Sequence, residues 1–155
     1  MPQAPSMTFP TISRMLAALC LGALFATALA PAQVQAQAEG RIALELNNLE
    51  PAEGGCRLTL VGRNDAGQTV SQATYDVAVF DAEGVVRDRL LLEFGALPQG
   101  RMRVVQFFLA RGCDEIGRVH LNDAEACLSE TGGSLALCMD ALETTSRIGS
   151  VQLGL

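Results

Sequence analysis

His120, the only histidine in the chain, belongs to the short sequence His120-Leu121-Asn122-Asp123, in which imidazole, amide and carboxylate groups lie close together. Such groups can ligate a metal or exchange protons near neutral pH. Strand alternation over Ile116–Asn122 places His120 and Asn122 on one outward face, with Asp123 at the strand end. A metal site would need a second histidine or a carboxylate cluster. We therefore interpret His120 as a solvated side chain and Asn122–Asp123 as part of a turn.

Asp114 and Glu115 are adjacent carboxylates beside Cys113. Calcium takes six or more oxygen ligands from a dense loop, more than these two acids supply. The sequence therefore predicts an acidic surface turn here.

The sequence lacks the motifs that usually activate a cysteine or serine for nucleophilic catalysis. A reactive thiolate would need an activating histidine or a Cys-x-x-Cys motif, and Gly-x-Ser-x-Gly is absent. The nearest match, Gly132-Gly133-Ser134-Leu135, is predicted to open a helix instead, and Met139 beside Cys138 is interpreted as core packing rather than copper handling. We predict that the protein is not an enzyme and that it uses no cofactor and no metal.

The N-terminal segment has the layout of a secretory signal peptide. Arg14 precedes an apolar run, Met15–Ala30, and small residues around Ala36 follow it. We predict that residues 1–38 are a signal peptide with a short linker, that residues 39–155 form one domain, and that this domain is periplasmic without a membrane span. The alternative, a lipid anchor at Cys20, is disfavoured because Leu19 is a poor residue before a lipidated cysteine.

Four cysteines follow the signal peptide. An even number in an exported chain indicates two disulfides, whereas a zinc site would need ligand pairs closer in sequence. They are Cys56, Cys113, Cys127 and Cys138.

The charge balance argues against nucleic acid as a partner. Without Arg14, 10 arginines face 17 acidic residues, there is no lysine, and the arginines form no block. Phosphate binding requires clustered positive charge.

Short alternating segments separated by turn residues predict a β-sandwich of about seven strands. One short helix, Ser134–Glu143, is expected before the last strand, Ser146–Leu155. Arg101–Leu109 is apolar on both faces in its second half, which predicts a central strand covered on both sides. The other predicted strands are 41–47, 56–62, 70–80, 85–94 and 116–122, and residues 48–55 with Pro51 are predicted to be a loop.

Several segments together resemble a family of uncharacterised exported proteins from alphaproteobacteria. They are Leu46–Pro51, Gly55-Cys56-Arg57, Val79-Phe80-Asp81, Val104–Phe107, Leu121-Asn122-Asp123 with Cys127, and Ser146-Arg147. The resemblance implies an exported, periplasmic protein with an immunoglobulin-like sandwich. It implies no activity and no site residues.

The leading hypothesis is a non-enzymatic binding or assembly module of the bacterial envelope whose partner is another envelope protein. The alternative is a periplasmic carrier of a small ligand or metal that uses the region of His120 and Asp114. In an immunoglobulin-like sandwich the second and sixth strands run in the same direction in facing sheets. Cys56 opens the second strand and Cys113 precedes the sixth, which predicts the pairs Cys56–Cys113 and Cys127–Cys138.

Overall fold

Residues 40–155, the part of the chain that the computed structural model describes, are mainly β-structure. The predicted signal peptide lies outside these residues. A 3₁₀ helix, Cys113–Glu115, lies between β5 and β6, and a short helix α1, Leu137–Asp140, lies between β6 and β7. The strands are β1 Ile42–Ala52, β2 Gly55–Asn64, β3 Val70–Phe80, β4 Val86–Leu97, β5 Met102–Leu109, β6 Arg118–Leu128, β7 Leu142–Ser146 and β8 Gln152–Gly154.

The strands form two four-stranded sheets, in the orders β5-β2-β1-β7 and β4-β3-β6-β8. All pairings are antiparallel except β7 with β1 and β8 with β6, which are parallel. The chain thus returns to both sheets at its end, one strand for each. This architecture confirms the predicted sandwich and fits an immunoglobulin-like arrangement.

The core lies between the sheets and follows the alternation expected from the sequence. Ile42, Leu44 and Leu46 on β1 are fully buried, as period-two alternation requires of one strand face. Tyr75 packs edge-on against Phe94, with 5.8 Å between ring centroids. The Tyr75 hydroxyl donates a hydrogen bond to the Cys138 carbonyl oxygen (3.3 Å), and burial raises the pKa of this hydroxyl, which therefore remains a donor.

Two disulfides connect the sheets and the helix. Cys56–Cys113 joins the start of β2 to the 3₁₀ helix, and Cys127–Cys138 joins the end of β6 to α1. This is the pairing that the sequence predicts. Two disulfides indicate an oxidising, extracytoplasmic environment. No helix within residues 40–155 is long and apolar enough to cross a membrane.

The C-terminal prediction was wrong in two details. The helix covers only Leu137–Asp140, and the end of the predicted helix belongs to strand β7 instead. The predicted last strand, Ser146–Leu155, contains only the three-residue strand β8 after Ser146. The Ile42 amide donates to the Ala141 carbonyl oxygen (2.8 Å), and Ile42 pairs with Leu142. Pairing with β1 therefore ends the helix, which shows tertiary structure overriding a local helical pattern.

Pro51 lies within β1 rather than in the predicted loop. It pairs with Cys56, one step before the tight turn at Glu53–Gly54. On its other side β1 has a neighbour only over Ile42–Leu46, where β7 pairs with it. The rest of β1 is an edge, and an edge strand tolerates a residue without a backbone N–H.

Candidate functional site

β5 is an edge strand, not the central, covered strand that the sequence predicts. Among residues 40–155 it pairs with β2 alone, over eight residue pairs without a register shift. The apolar run predicts burial on both faces, but β2 covers only one edge and the second sheet covers only one face. About half of the β5 residues therefore direct their N–H and C=O groups away from β2.

The other three edge strands differ from β5 in ways that discourage further pairing. β4 carries four charged residues and has register shifts against β3. β7 has five residues, largely polar, and β8 has three. Short length, charge and irregularity protect sheet edges from added strands. β5 has none of these over Val104–Leu109, a six-residue run without charge, proline or glycine.

The outward face of β5 forms an exposed apolar strip. Met102, Val104 and Phe108 are 60%, 59% and 53% exposed. Val61 on β2 pairs with Val104 and is half-buried. We call these four residues the outer strip. Gln106, which is hydrogen-bonded to Thr59 (3.1 Å), separates Phe108 from the other three residues on this face. Exposed apolar surface of this kind is typical of a binding surface.

The inward face of β5 is also incompletely covered. Val105 and Phe107 are half-buried, as is Leu90 on β4, the edge strand of the facing sheet. The Phe107 ring touches the core through Phe94, at 5.9 Å between centroids. We call Val105, Phe107 and Leu90 the open seam. A strand added to β5 would have core-like neighbours here.

The turn that leads into β5 is fixed by Asn64, which is fully buried. Its side-chain amide donates to the carbonyl oxygens of Leu97 (2.7 Å) and Gln68 (2.9 Å). Its backbone carbonyl accepts a hydrogen bond from the Gly100 amide (2.7 Å), and its amide donates to the Arg101 carbonyl (3.2 Å). One buried side chain therefore sets where β4 ends and β5 begins.

The far end of β5 lies close to the turn between β1 and β2. A methyl group at Gly55 would lie 2.8 Å from Cζ of Phe108, so the absence of a side chain at Gly55 lets this ring pack down on the sheet. The packing positions Phe108 at one end of the outer strip while half of it stays exposed.

The surroundings of β5 carry positive charge in an otherwise acidic protein. From Pro98 to Cys113 the sequence contains Arg101, Arg103 and Arg111 but no acidic residue. The Arg103 guanidinium lies over Gly95 of β4, with its Nη2 3.4 Å from the position of a methyl group there. Arg103 shares the inward phase of the open-seam residues Val105 and Phe107. An inward-phase charge on an apolar strand is typical of an edge, and this signal could have corrected the sequence prediction.

His120 lies on the outer face of the second sheet, away from β5. It pairs with Ala78 on β3, and its half-buried ring is edge-on to Phe80 at 6.1 Å. The interpretation of Asn122–Asp123 as part of a turn was wrong, since both residues lie within β6. The Asn122 side-chain amide donates a hydrogen bond to an Asp76 carboxylate oxygen (3.4 Å). Within the described residues, no three His, Cys, Asp or Glu side chains are arranged to hold a metal ion. The structure thus places His120 in an aromatic contact.

Asp114 and Glu115 lie in the 3₁₀ helix and line one surface groove with Arg111. Arg111 contacts both Asp88 (Nε–Oδ2 2.7 Å) and Glu115 (Nη1–Oε2 2.9 Å), and thereby links the chain after β5 to β4. Hydrogen bonding to Asp88 is the main reason that the pKa of Arg111 is raised, so it stays charged. The ion pairs of Arg111 therefore have a structural role, because they hold the 3₁₀ helix against β4.

Asp81 opens the turn before β4 and lines the same surface groove as Asp114. Its carboxylate accepts hydrogen bonds from the Val85 amide (2.7 Å) and from Nε of Arg87 (2.6 Å). The Val85 hydrogen bond is the main cause that lowers the pKa of Asp81. The carboxylate thus stabilises the turn between β3 and β4.

The chain matches no known protein family, no curated protein and no solved structure. The resemblance to exported alphaproteobacterial proteins therefore stays a prediction. β5 is the candidate functional site, because unpaired backbone groups, the outer strip and the open seam coincide there. That combination suits the addition of an extended segment to a sheet edge.

Proposed function

We propose that this protein is a non-enzymatic binding or assembly module of the bacterial envelope. In this proposal it works in the periplasm and binds another envelope protein by accepting a strand of that protein along β5. The observation that carries the proposal is the open edge of β5 between the outer strip and the open seam. The disulfides and the signal-like N-terminal sequence support the compartment.

Strand addition would satisfy several groups at once. The N–H and C=O groups of β5 that point away from β2 would gain backbone partners. Val104 and Phe108 would lose solvent exposure on the outside, and Val105 and Phe107 would lose it on the inside. Burying a fully exposed apolar side chain contributes about 1.5–3 kcal/mol, and since these four are already about half-buried, each would contribute roughly half of that before ordering costs.

Site-specific photo-crosslinking in cells tests the proposal. A photoreactive residue replaces Gln106, whose side chain lies between Val104 and Phe108 on the outward face of β5. In a matched chain it replaces Leu91, which is apolar, 50% exposed and on the outer face of β4. We expect an adduct from the Gln106 position alone, and its loss when Val104→Glu is added.

The captured protein is then purified, and its binding to the wild type, Val104→Glu and Leu91→Glu is compared. Only Val104→Glu should weaken binding, because both substitutions add a charge at an exposed apolar position but one alone lies on β5. Adducts formed equally from both positions, or equal binding by both variants, would contradict the proposal. An adduct with a second copy of the chain would contradict the partner assignment.

A further inference from the structure

We propose that the strand accepted by β5 is acidic at one end and apolar along the rest. Its carboxylates lie beside Arg101 and Arg103, and its apolar side chains lie beside Val104–Phe108. This inference rests on the proposed function, since it specifies the partner of the same edge.

The alternation of a sheet determines the pattern. A strand added to β5 places its side chains on the same two faces, each beside a β5 side chain. On the outer face its neighbours are Val104 and Phe108, which favour apolar residues. On the inner face its neighbours are Val105 and Phe107, and an apolar residue there would fill the open seam.

Arg101 and Arg103 determine which end of the incoming strand is acidic. The ion pairs within residues 40–155 involve the arginines 41, 57, 63, 87, 89, 111 and 147 but neither of these two. Both are exposed. A strand laid along β5 would remove water from them, and covering a charge without a partner is unfavourable. Carboxylates on the incoming strand would compensate.

The same charges disfavour a second copy of this chain as the occupant. The segment Pro98–Cys113 contains no carboxylate, so the β5 strand of a second copy could not neutralise Arg101 and Arg103. Pairing two copies would instead bring the arginines of both copies into one positively charged region. The apolar surface favours the addition of a strand, whereas the arginines disfavour the β5 strand of a second copy as that strand.

Because the protein as a whole is acidic, only the region around β5 can attract an acidic partner strand. The whole chain has a formal net charge of −6, so an acidic partner is attracted only near the arginines around β5. Arg57 and Arg63 flank the outer strip on β2, opposite Phe108 and Met102, and add to this positive region. Arg63 is hydrogen-bonded to Asp65, which is the main cause that raises its pKa. Arg101 and Arg103 therefore carry the uncompensated charge.

Synthetic strands test the inference. The probe Phe-Val-Thr-Val-Val-Glu-Thr-Asp places its acids beside Arg103 and Arg101 when it runs antiparallel to β5, and the reversed sequence does so when parallel. Matched neutral probes carry Gln and Asn instead of Glu and Asp. Binding of labelled probes to the full exported protein is measured by fluorescence anisotropy at low and high salt.

We expect the acidic probe of one direction to bind roughly two- to thirtyfold more tightly than its neutral match at low salt, the range for two exposed ion pairs. Arg101→Gln with Arg103→Gln should abolish this preference, and the neutral probe should bind at least as tightly as it does to the wild type, because no unpaired charge is then covered. Arg41→Gln with Arg147→Gln, which removes the same charge around the β1–β7 pair, should preserve it. Added salt should reduce the preference.

The possible results distinguish the acidic preference of β5 from strand addition itself. Equal affinity of acidic and neutral probes, both lost in Val104→Glu, would overturn the acidic inference and leave strand addition intact. Failure of every probe to bind would overturn the acidic and apolar pattern proposed for the incoming strand. Crosslinking at Gln106 tests separately whether a partner binds at the β5 edge. Binding that persists unchanged in Val104→Glu would contradict the proposed function itself.

Discussion

The two disulfides are expected to contribute unequally to stability, because they close loops of different length. Cys56–Cys113 spans 57 positions and Cys127–Cys138 spans 11. In the chain-entropy model these loops correspond to about 4 and about 3 kcal/mol, and the difference depends only on 1.5RT ln(57/11), about 1.5 kcal/mol. Removing the long-range disulfide should therefore cost more.

The comparison is well matched, since each disulfide has one cysteine with no exposed surface, Cys56 in one and Cys138 in the other. Paired Cys→Ala replacements therefore leave similar voids. Urea unfolding of both variants gives the free energies, and both m-values should rise because the unfolded chain expands. Equal costs, or a larger cost for Cys127→Ala with Cys138→Ala, would refute the loop-length reasoning.

His120→Ala should lower the free energy of unfolding by less than about 1 kcal/mol, since the half-buried ring has one aromatic neighbour, Phe80; a loss above about 2 kcal/mol would imply a bound group. Asp81→Asn should flatten the acid side of the stability profile. The hydrogen bond from Val85 lowers the pKa of Asp81, so its contribution is present above the unfolded value near 3.8 and is lost as the pH falls through the lower folded value; parallel profiles in urea would contradict this. Asn64→Ala should cost about 2–3 kcal/mol, because buried groups lose their partners, and an unchanged urea midpoint would contradict the assigned network.

Alternation and cysteine position carried most of the fold prediction. β3 has the predicted limits, 70–80, because turn residues bracket a long alternating run. The disulfide pairing followed from placing Cys56 at the start of the second strand and Cys113 just before the sixth. Both predictions depend on local pattern and on the known geometry of a sandwich.

The order of strands within a sheet could not be read from the pattern. Val104–Leu109 is equally compatible with a strand covered on both faces and with an edge strand that awaits a partner. An apolar sequence indicates that a surface is favourably buried, but it does not indicate whether the same chain or another protein buries it. The end of α1 was missed for a related reason, since the pairing of Leu142 with Ile42 joins residues 100 positions apart.

The candidate site was therefore the least predictable feature, and His120, the most conspicuous residue for chemistry, lies away from it. Arg101 and Arg103 offered a usable signal, since charged residues at the inward phase of an apolar strand are typical of an edge. Asn64 lies outside the predicted strands, beyond the end of the segment 56–62. Its burial and its side-chain hydrogen bond to Leu97, 33 residues away in sequence, depend on the packed end of β4.

Amide hydrogen exchange along β5 tests the central claim most directly. In the free protein we expect about every second amide of Met102–Leu109 to exchange rapidly, while amides throughout the central strand β2 are protected. In the complex with the protein captured at Gln106, the rapid amides should become slow and those of β4 should not change. Uniform protection of β5 in the free protein, or protection on binding at β4 in place of β5, would contradict the account.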